Sequence, residues 1–539
     1  MATSILLPLA LGLVYIFVWL RKVGSREPGL PPGPPTMPLL GNLSIFPKEF
    51  AHYKFTEWAR TYGGIYSLKV GRGTVIVLTD AATVKELMDK RSGSTADRPP
   101  MHIVDVVTGG LHMALERYSE SWRTLRRTAH TILTPQASTK HLPIQMAEAS
   151  QLLHDILCRP EGFYNHIRRY ASSVIMSVLY GKRAPRYETR ETTAFFQVQQ
   201  HWQGVLEPGS TPPIDLIPIL KYIPERWAKW KQDCAKTRKM QRKVYFGLLD
   251  ETKERVDQGE ENGCFMEEIL VREVELGMNR EMTGYLGGVL IEGGSDTTSS
   301  YLQSLILALV AYPDAQRKAQ EEIDRVVGSH RMPTLDDLEE MPYIRAMILE
   351  THRFRPVAPM LLPHGALNDE EYKGFIIPQG CTIFVNIWGI FHDPELYDDP
   401  EDFIPERYLL SENGTKPGIG IDGSDLRPNL PFGVGRRACP GIHLAQNSIN
   451  INAMNFVWAF NFTADIDAQG NPILLDTFDY MKGILTGPRP FKCKITPRSA
   501  EKAEIIEHEF LEAADTFSKF EFGLSEEDKQ FVARSRVRR

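Results

Sequence analysis

Cys439 stands in the run Pro431-Phe432-Gly433-Val434-Gly435-Arg436-Arg437-Ala438-Cys439-Pro440-Gly441, ahead of a helix-like stretch, Ile442 to Ala459. That setting suits a thiolate metal ligand. Glycines 433, 435 and 441 permit tight turns that bring backbone N–H groups close to the sulfur. A place at the start of a helix, with Arg437 nearby, favours the ionised thiol that metals bind. The bland alternative is a buried structural cysteine acting as a small hydrophobe. A second run, Glu292-Gly293-Gly294-Ser295-Asp296-Thr297-Thr298, interrupts a long helical pattern from Tyr285 to Ala311. Glycine inside a helix costs about 1 kcal/mol relative to alanine. The adjacent pair therefore implies either close packing or a distortion that opens a pocket beside the acid–alcohol pair. Glu350 and Arg353 form one of four E-x-x-R spacings, the others beginning at Glu57, Glu120 and Glu322. Alone, such a pair is an ordinary helix-surface feature.

Phe432, Gly435, Arg437, Cys439 and Gly441 fit the pattern F-x-x-G-x-R-x-C-x-G, and on them the chain resembles the haem-thiolate monooxygenases, the cytochromes P450. The likeness runs from about Pro31 to Thr496 through five motifs in order. It implies a mainly α fold with a small β-rich subdomain, the cytochrome P450 fold, preceded by one N-terminal transmembrane helix. It implies haem b, its iron bound axially by Cys439. Phe432, Arg437 and Gly441 of the loop, Trp122 and Arg126 of a W-x-x-x-R pair, and His364 after Pro363 are the implied cofactor-binding residues, the polar side chains at the propionates. Glu350, Arg353 and Arg407 become a buried bracing set below the haem, with Tyr408 where phenylalanine is common. Asp296 and Thr297 become the catalytic pair that delivers protons to dioxygen.

By the same resemblance, electrons come from NADPH through a separate NADPH–cytochrome P450 reductase, with cytochrome b5 a further candidate donor; no flavin or nicotinamide domain is visible in the chain. Arg123, Arg127 and His130 fall on the implied reductase-facing side. Analogy places Met101, Val106, Trp202, Leu206, Leu290, Val357, Met360, Ile484 and Leu485 around the substrate, and their apolar bias points to a bulky, mostly hydrophobic small molecule. Cys439 to Ala445, with Pro363-His364, is most similar to the filamentous-fungal branch that tailors secondary metabolites, by hydroxylation, ring closure, desaturation or several successive oxidations. Two rivals use the same cysteine: a haem-thiolate isomerase or dehydratase that needs no reductase, and a noncatalytic haem or ligand carrier. The Asp296-Thr297 pair argues against the first.

The elements that must position these residues belong to a globular chain of 539 residues, 42% hydrophobic and 24% charged. A net charge of −6 supplies no basic footprint for nucleic acid, and no such partner is expected. Six cysteines are scattered without C-x-x-C spacing, which fits a reducing compartment. Ser4 to Leu20 carries no charge and ends at Arg21-Lys22, a pattern read as a single-pass signal anchor. With the resemblance, this leads to the expectation of a membrane anchor in the endoplasmic reticulum at residues 1–22, a stiff proline-rich hinge at 23–38 and a catalytic domain facing the cytosol at 39–498. Residues 499–539 form an acidic amphipathic extension with a basic end, where Ile506, Phe510, Ala513 and Phe517 make one stripe, read as a helix docked on its own domain. Tyr66–Val70 and Thr74–Leu78 predict a hairpin, and 380–387 a second β-rich zone. Helical spacing marks Ala82–Lys90, Trp122–Leu133, Ala147–Leu157, Ile167–Leu179, Trp227–Gln258, Tyr285–Ala311 and Pro313–Val327.

Overall fold

A helix that is apolar all round can be stable only at the centre of a helical body, and Arg280–Ala311, the longest helix described, lies there. The structure is a computed structural model that describes residues 23–537 apart from 208, 420–424 and 468. Its main helices are α1 (Glu120–Ile132), α2 (Leu142–Cys158), α3 (Phe163–Tyr180), α4 (Arg190–Leu206), α5 (Lys229–Gln258), α6 (Arg280–Ala311), α7 (Pro313–Val326), α8 (Pro342–Phe354) and α9 (Ile442–Ala459). Local chemistry sets their starts: Ser119 accepts from the Trp122 N–H at α1, Asn279 from the Met282 N–H at α6, and Pro313 opens α7. Helix α6 packs against α3, α5 and α9, and its buried residues Leu286, Leu302, Leu305 and Ile306 join the main core.

The predicted hairpin forms as β1 (Ile65–Val70) and β2 (Gly73–Leu78), in register from Ile65 opposite Leu78 to Val70 opposite Gly73. Four further strands follow: β3 (His364–Gly365), β4 (Glu370–Tyr372), β5 (Phe375–Ile377) and β6 (Thr382–Val385). The second β-rich zone supplies β6, which lies parallel to β2 and antiparallel to β3, giving the sheet order β1-β2-β6-β3. Strands β7 (Phe460–Ala464) and β8 (Cys493–Pro497) form a separate antiparallel pair. One predicted helix changes character: Ala81–Val84 is α-helical, and Lys85–Lys90 is a π-helical turn.

The expected anchor, 1–22, lies outside the described residues; among those described, no helix is long and apolar enough to cross a membrane. The proline-rich connector is no free tether. Ser67 on β1 donates its N–H to the Pro32 carbonyl (2.8 Å) and its hydroxyl to that of Pro31 (2.6 Å). A side chain at Gly33 would stand 2.1 Å from the Ser67 carbonyl oxygen, so only glycine lets the connector lie this close.

The C-terminal extension is three helices, not one: α10 (Ala500–Glu512), α11 (Ala514–Ser518) and α12 (Glu526–Ser535). Ile506, Phe510 and Phe517 are buried, and α10 and α11 lie on α2. Phe510 stacks on His154 at 4.2 Å, and the Arg183 guanidinium lies 3.7 Å from the Phe517 ring centre. Arg183 also donates to Glu521 (2.7 Å), and Arg186 to Asp528 (2.6 Å).

Candidate active site

The cysteine loop is shaped by two glycines in the left-handed region. Gly433 has φ +94° and Gly435 φ +54°. At 435 an added Cβ would stand 2.1 Å from the Met88 carbonyl oxygen, so the loop seats against the π-helical turn only with glycine there. Asp89 on that turn accepts the Gly435 N–H (2.8 Å) and pairs with Arg427. The Cys439 N–H closes the loop onto the Phe432 carbonyl at 2.7 Å. Gly441 departs from the expectation: its φ is −92°, and a Cβ there would meet no protein atom within 4 Å. The protein itself places no demand for glycine at 441. The thiol also departs from it. Burial raises the Cys439 pKa, and the Gly441 N–H and Arg126 oppose the rise. The loop alone does not acidify the sulfur. Yet the cysteine is solvent-accessible within the thickness of the fold, so it faces an internal space.

Basic groups gather beside this space. Arg437 donates to the carbonyls of Ala96 (2.7 Å), Glu116 (2.8 Å) and Met113 (3.3 Å). Arg126 donates to the carbonyl of Ala438 and to His130 Nε2. His364 donates Nδ1–H to the Thr95 carbonyl at 2.9 Å. A fourth group, Arg98, was not singled out by the motifs: it spends Nε on the Ala114 carbonyl and Nη1 on those of Leu362 and Pro363. Its Nη2 makes no hydrogen bond among the described residues. Trp122 needs correcting as a propionate donor, because its indole N–H is already given to the Met113 carbonyl at 3.0 Å. What it supplies is a ring 3.9 Å from the Arg437 guanidinium, a platform for that cation.

Elsewhere in the core, Arg169, Arg183, Arg255 and Arg353 each meet a glutamate. None of Arg98, Arg126 and Arg437 is hydrogen-bonded to a carboxylate among the described residues. Burial, reinforced by mutual repulsion, brings Arg437 down to about 9 and pushes Arg98 and His364 well below their ordinary ranges. Cations held this way need anions. A cofactor that carries carboxylates and a metal able to take a thiolate would fit these cations and the accessible Cys439.

The family model for cytochrome P450 matches residues 31–495. The chain belongs to the cytochrome P450 family. It is 47% identical over 517 residues to a cytochrome P450 monooxygenase of Armillaria gallica, covering 96% of this chain and 98% of that one. A cytochrome P450 monooxygenase of Aspergillus niger is 38% identical over 498 residues, covering 90% and 92% of the two chains. A zebra fish cytochrome P450 solved with progesterone superposes with a TM-score of 0.67 at 26% identity, covering 83% of this chain and 99% of that one. Cytochromes P450 carry haem with an axial cysteine thiolate, use dioxygen and receive electrons from a reductase.

The P450 Glu-Arg-Arg set is assembled and buried. Glu350 accepts from Arg353 Nε and Nη2, both at 2.7 Å, and from the Ile404 N–H at 2.8 Å. Arg353 also donates to the carbonyls of Phe391, Pro400 and Asp402. Arg407 is looser, with Nε 3.4 Å from Glu350 and Nη2 on the Asp399 carbonyl. His352, between the acid and the arginine, meets the Phe432 ring edge-on at 5.3 Å and ties α8 to the cysteine loop.

Helix α6 passes through the glycine pair unbroken, so the expected distortion is absent. Gly294 is a packing glycine, since a Cβ there would stand 2.6 Å from Ile175. Gly293 faces open space, and the Thr297 hydroxyl donates to its carbonyl at 2.5 Å. Asp296 accepts from Gln203 at 3.3 Å, and burial, with Glu292 adding to it, raises its carboxyl to about 6. It can therefore hold or release a proton near neutral pH.

The predicted substrate residues fall in different apolar clusters. Met101, Val106, Trp202 and Leu206 share an apolar cluster with Val104, Val107 and Leu362. Leu290 and Val357 belong to the main core instead, and Met360 packs against the cluster of β1 and β2. Ile484 is exposed, and Leu485 is partly so.

Proposed function

We propose that this cytochrome P450 inserts one oxygen atom of dioxygen into a bulky, mostly hydrophobic small molecule, as a hydroxylation step of secondary metabolism. The observation that carries the reading is the accessible Cys439 beside three arginines that have no carboxylate partner among the described residues. When bound, haem supplies the activation of dioxygen and the transfer of one oxygen atom to a C–H bond. Cys439 would supply the thiolate that holds its iron, Arg98, Arg126, Arg437 and His364 would hold its carboxylates, and Phe432 and Gly441 would complete its binding loop. Asp296 takes protons from solvent on its carboxylate oxygens, and the Thr297 hydroxyl passes them into the open space at Gly293. Glu350, Arg353 and Arg407 keep the loop in place. Overall, two electrons and two protons enter, and the second oxygen atom leaves as water.

Electrons come from NADPH through a separate reductase. Residues 1–22 anchor the chain in the endoplasmic reticulum membrane, with the domain 39–498 in the cytosol and 499–539 as an extension docked on it. The relatives named above as monooxygenases and the acid–alcohol pair support oxygen insertion over isomerisation or simple carriage. The test is product formation from a screened apolar library. Product requiring reductase, NADPH and dioxygen together is expected; product formed without any one of them overturns the reading.

A further inference from the structure

Glu292 is a carboxylate without an arginine or lysine partner among the described residues, one turn before Asp296 on α6. Its oxygens accept instead from the Tyr245 hydroxyl on α5 (2.5 Å) and from His112 Nε2 in the loop before α1 (3.0 Å). Both clamping side chains are buried. The clamp is built by a glycine: a Cβ at Gly288 would stand 2.2 Å from the Tyr245 ring, so only glycine lets that ring come under Glu292. The Glu292 side chain is only 13% exposed, and holding a carboxylate so far from water without a fixed counter-charge is costly. Features that break a local rule in this way gather at functional sites.

The surroundings indicate what the acid meets. Gly293 beside it faces open space, and the Thr297 hydroxyl donates to the Gly293 carbonyl at the edge of that space. On the other side, the His112 ring lies 5.7 Å from Trp202, a member of the apolar cluster with Met101, Val106 and Leu206. One turn from Tyr245, the fully buried Gln241 has neither amide atom hydrogen-bonded. Polar groups this deep call for partners. A carboxylate offers about four acceptor positions, and the clamp uses two.

We propose that Glu292 is the polar anchor of the substrate pocket, accepting a hydrogen bond from a hydroxyl group on an otherwise apolar substrate. The inference rests on the monooxygenase reading and narrows its substrate class. A carbonyl or ether oxygen cannot donate to Glu292, and an anionic substrate is repelled by it. The enzyme accordingly acts on molecules that already carry an alcohol or phenol, so the reaction that supplies its substrate leaves a free hydroxyl.

The test uses the full-length holoenzyme and three probes: 4-phenylphenol, its methyl ether 4-methoxybiphenyl, and the quaternary cation (4-phenylbenzyl)trimethylammonium. Affinities are read by calorimetry and by the spin-state shift of the Soret band. A hydrogen bond to a charged acceptor predicts that the phenol binds about tenfold or more tightly than the ether. In Glu292→Gln that preference falls to about twofold, and Tyr245→Phe lies between; the ether binds all three proteins alike, which reports an intact pocket. Equal binding of phenol and ether by the wild type, no binding of the phenol, an unchanged preference in Glu292→Gln, or tightest binding of the quaternary cation would overturn the proposal. The carbon-monoxide spectrum of the same samples separates that failure from a failure of haem-thiolate ligation.

Discussion

Removing the carboxylate of Glu350 while leaving Arg353 in place should come close to unfolding the protein. Both side chains are fully buried, and the acid accepts two guanidinium N–H groups and the Ile404 N–H. In Glu350→Gln the volume is kept and Arg353 retains its carbonyl partners, but its charge stands uncompensated with Arg407 close by. Breaking a buried pair from one side costs about 3–5 kcal/mol, against a total stability of about 5–15 kcal/mol. Urea melts followed by circular dichroism should therefore show a loss of about 3 kcal/mol or more for Glu350→Gln and for Arg353→Met. The double variant should lose less than the sum by at least about 2 kcal/mol, because it removes the orphaned charge together with its partner. Haem content of the purified protein should fall in the same order. Singles that add to the double within about 0.5 kcal/mol, or a Glu350→Gln loss under about 1 kcal/mol, would refute the view that this pair is a charge-compensated brace.

Other consequences can be checked as directly. Asp296 has its folded carboxyl raised to about 6 from an ordinary 3.8, so the folded state holds its proton more tightly than the unfolded chain does. The cost of ionising it appears as pH climbs through 3.8 and is complete above about 6, roughly 3 kcal/mol at most. Asp296→Asn should flatten stability between pH 4 and pH 8, and an unchanged pH profile in guanidinium melts would contradict this. Gly435→Ala should cost about 2 kcal/mol or more, from strain and the clash with Met88, whereas Gly441→Ala should leave the haem-free protein within about 0.5 kcal/mol of wild type and weaken haem binding. Thermal melts with and without haem separate the two glycines. Phe517→Ala should destabilise by about 3–5 kcal/mol, since it empties a buried site and removes the ring beneath Arg183; a change near zero in a thermal melt would mean the extension is not part of the folded core.

The chemistry-bearing residues were legible where neighbours in sequence are neighbours in space. The turn around Cys439, the Glu350–Arg353 pair and the hairpin at Gly71–Gly73 are local, and short-range geometry describes them well. Arg98 was not legible. It reaches the site because Gly365 donates its N–H to the Asp97 carbonyl at 2.7 Å, a pairing across about half the chain that no local pattern encodes. The connector's attachment to Ser67 and the parallel joining of β6 to β2 were hidden for the same reason. Trp122 shows a different limit: its place on α1 follows from spacing, but the partner of its indole depends on where Met113 folds. The acidified thiol expected of Cys439 failed because a helix start and nearby cations were weighed without the burial that opposes them. In the extension the apolar residues Ile506, Phe510 and Phe517 are buried as the stripe predicts, yet residues 513 and 519–525 break the helix into three.

The most direct measurement of the whole account is the visible spectrum of the dithionite-reduced, carbon-monoxide-bound protein, wild type beside Cys439→Ala. A strongly red-shifted Soret band in the wild type, absent from a folded Cys439→Ala variant, is the predicted result. Folded wild-type protein that takes up no haem, or a band indifferent to Cys439, would contradict the assignment of this cysteine as the axial ligand and of the arginine cluster beside it as the cradle of the propionates.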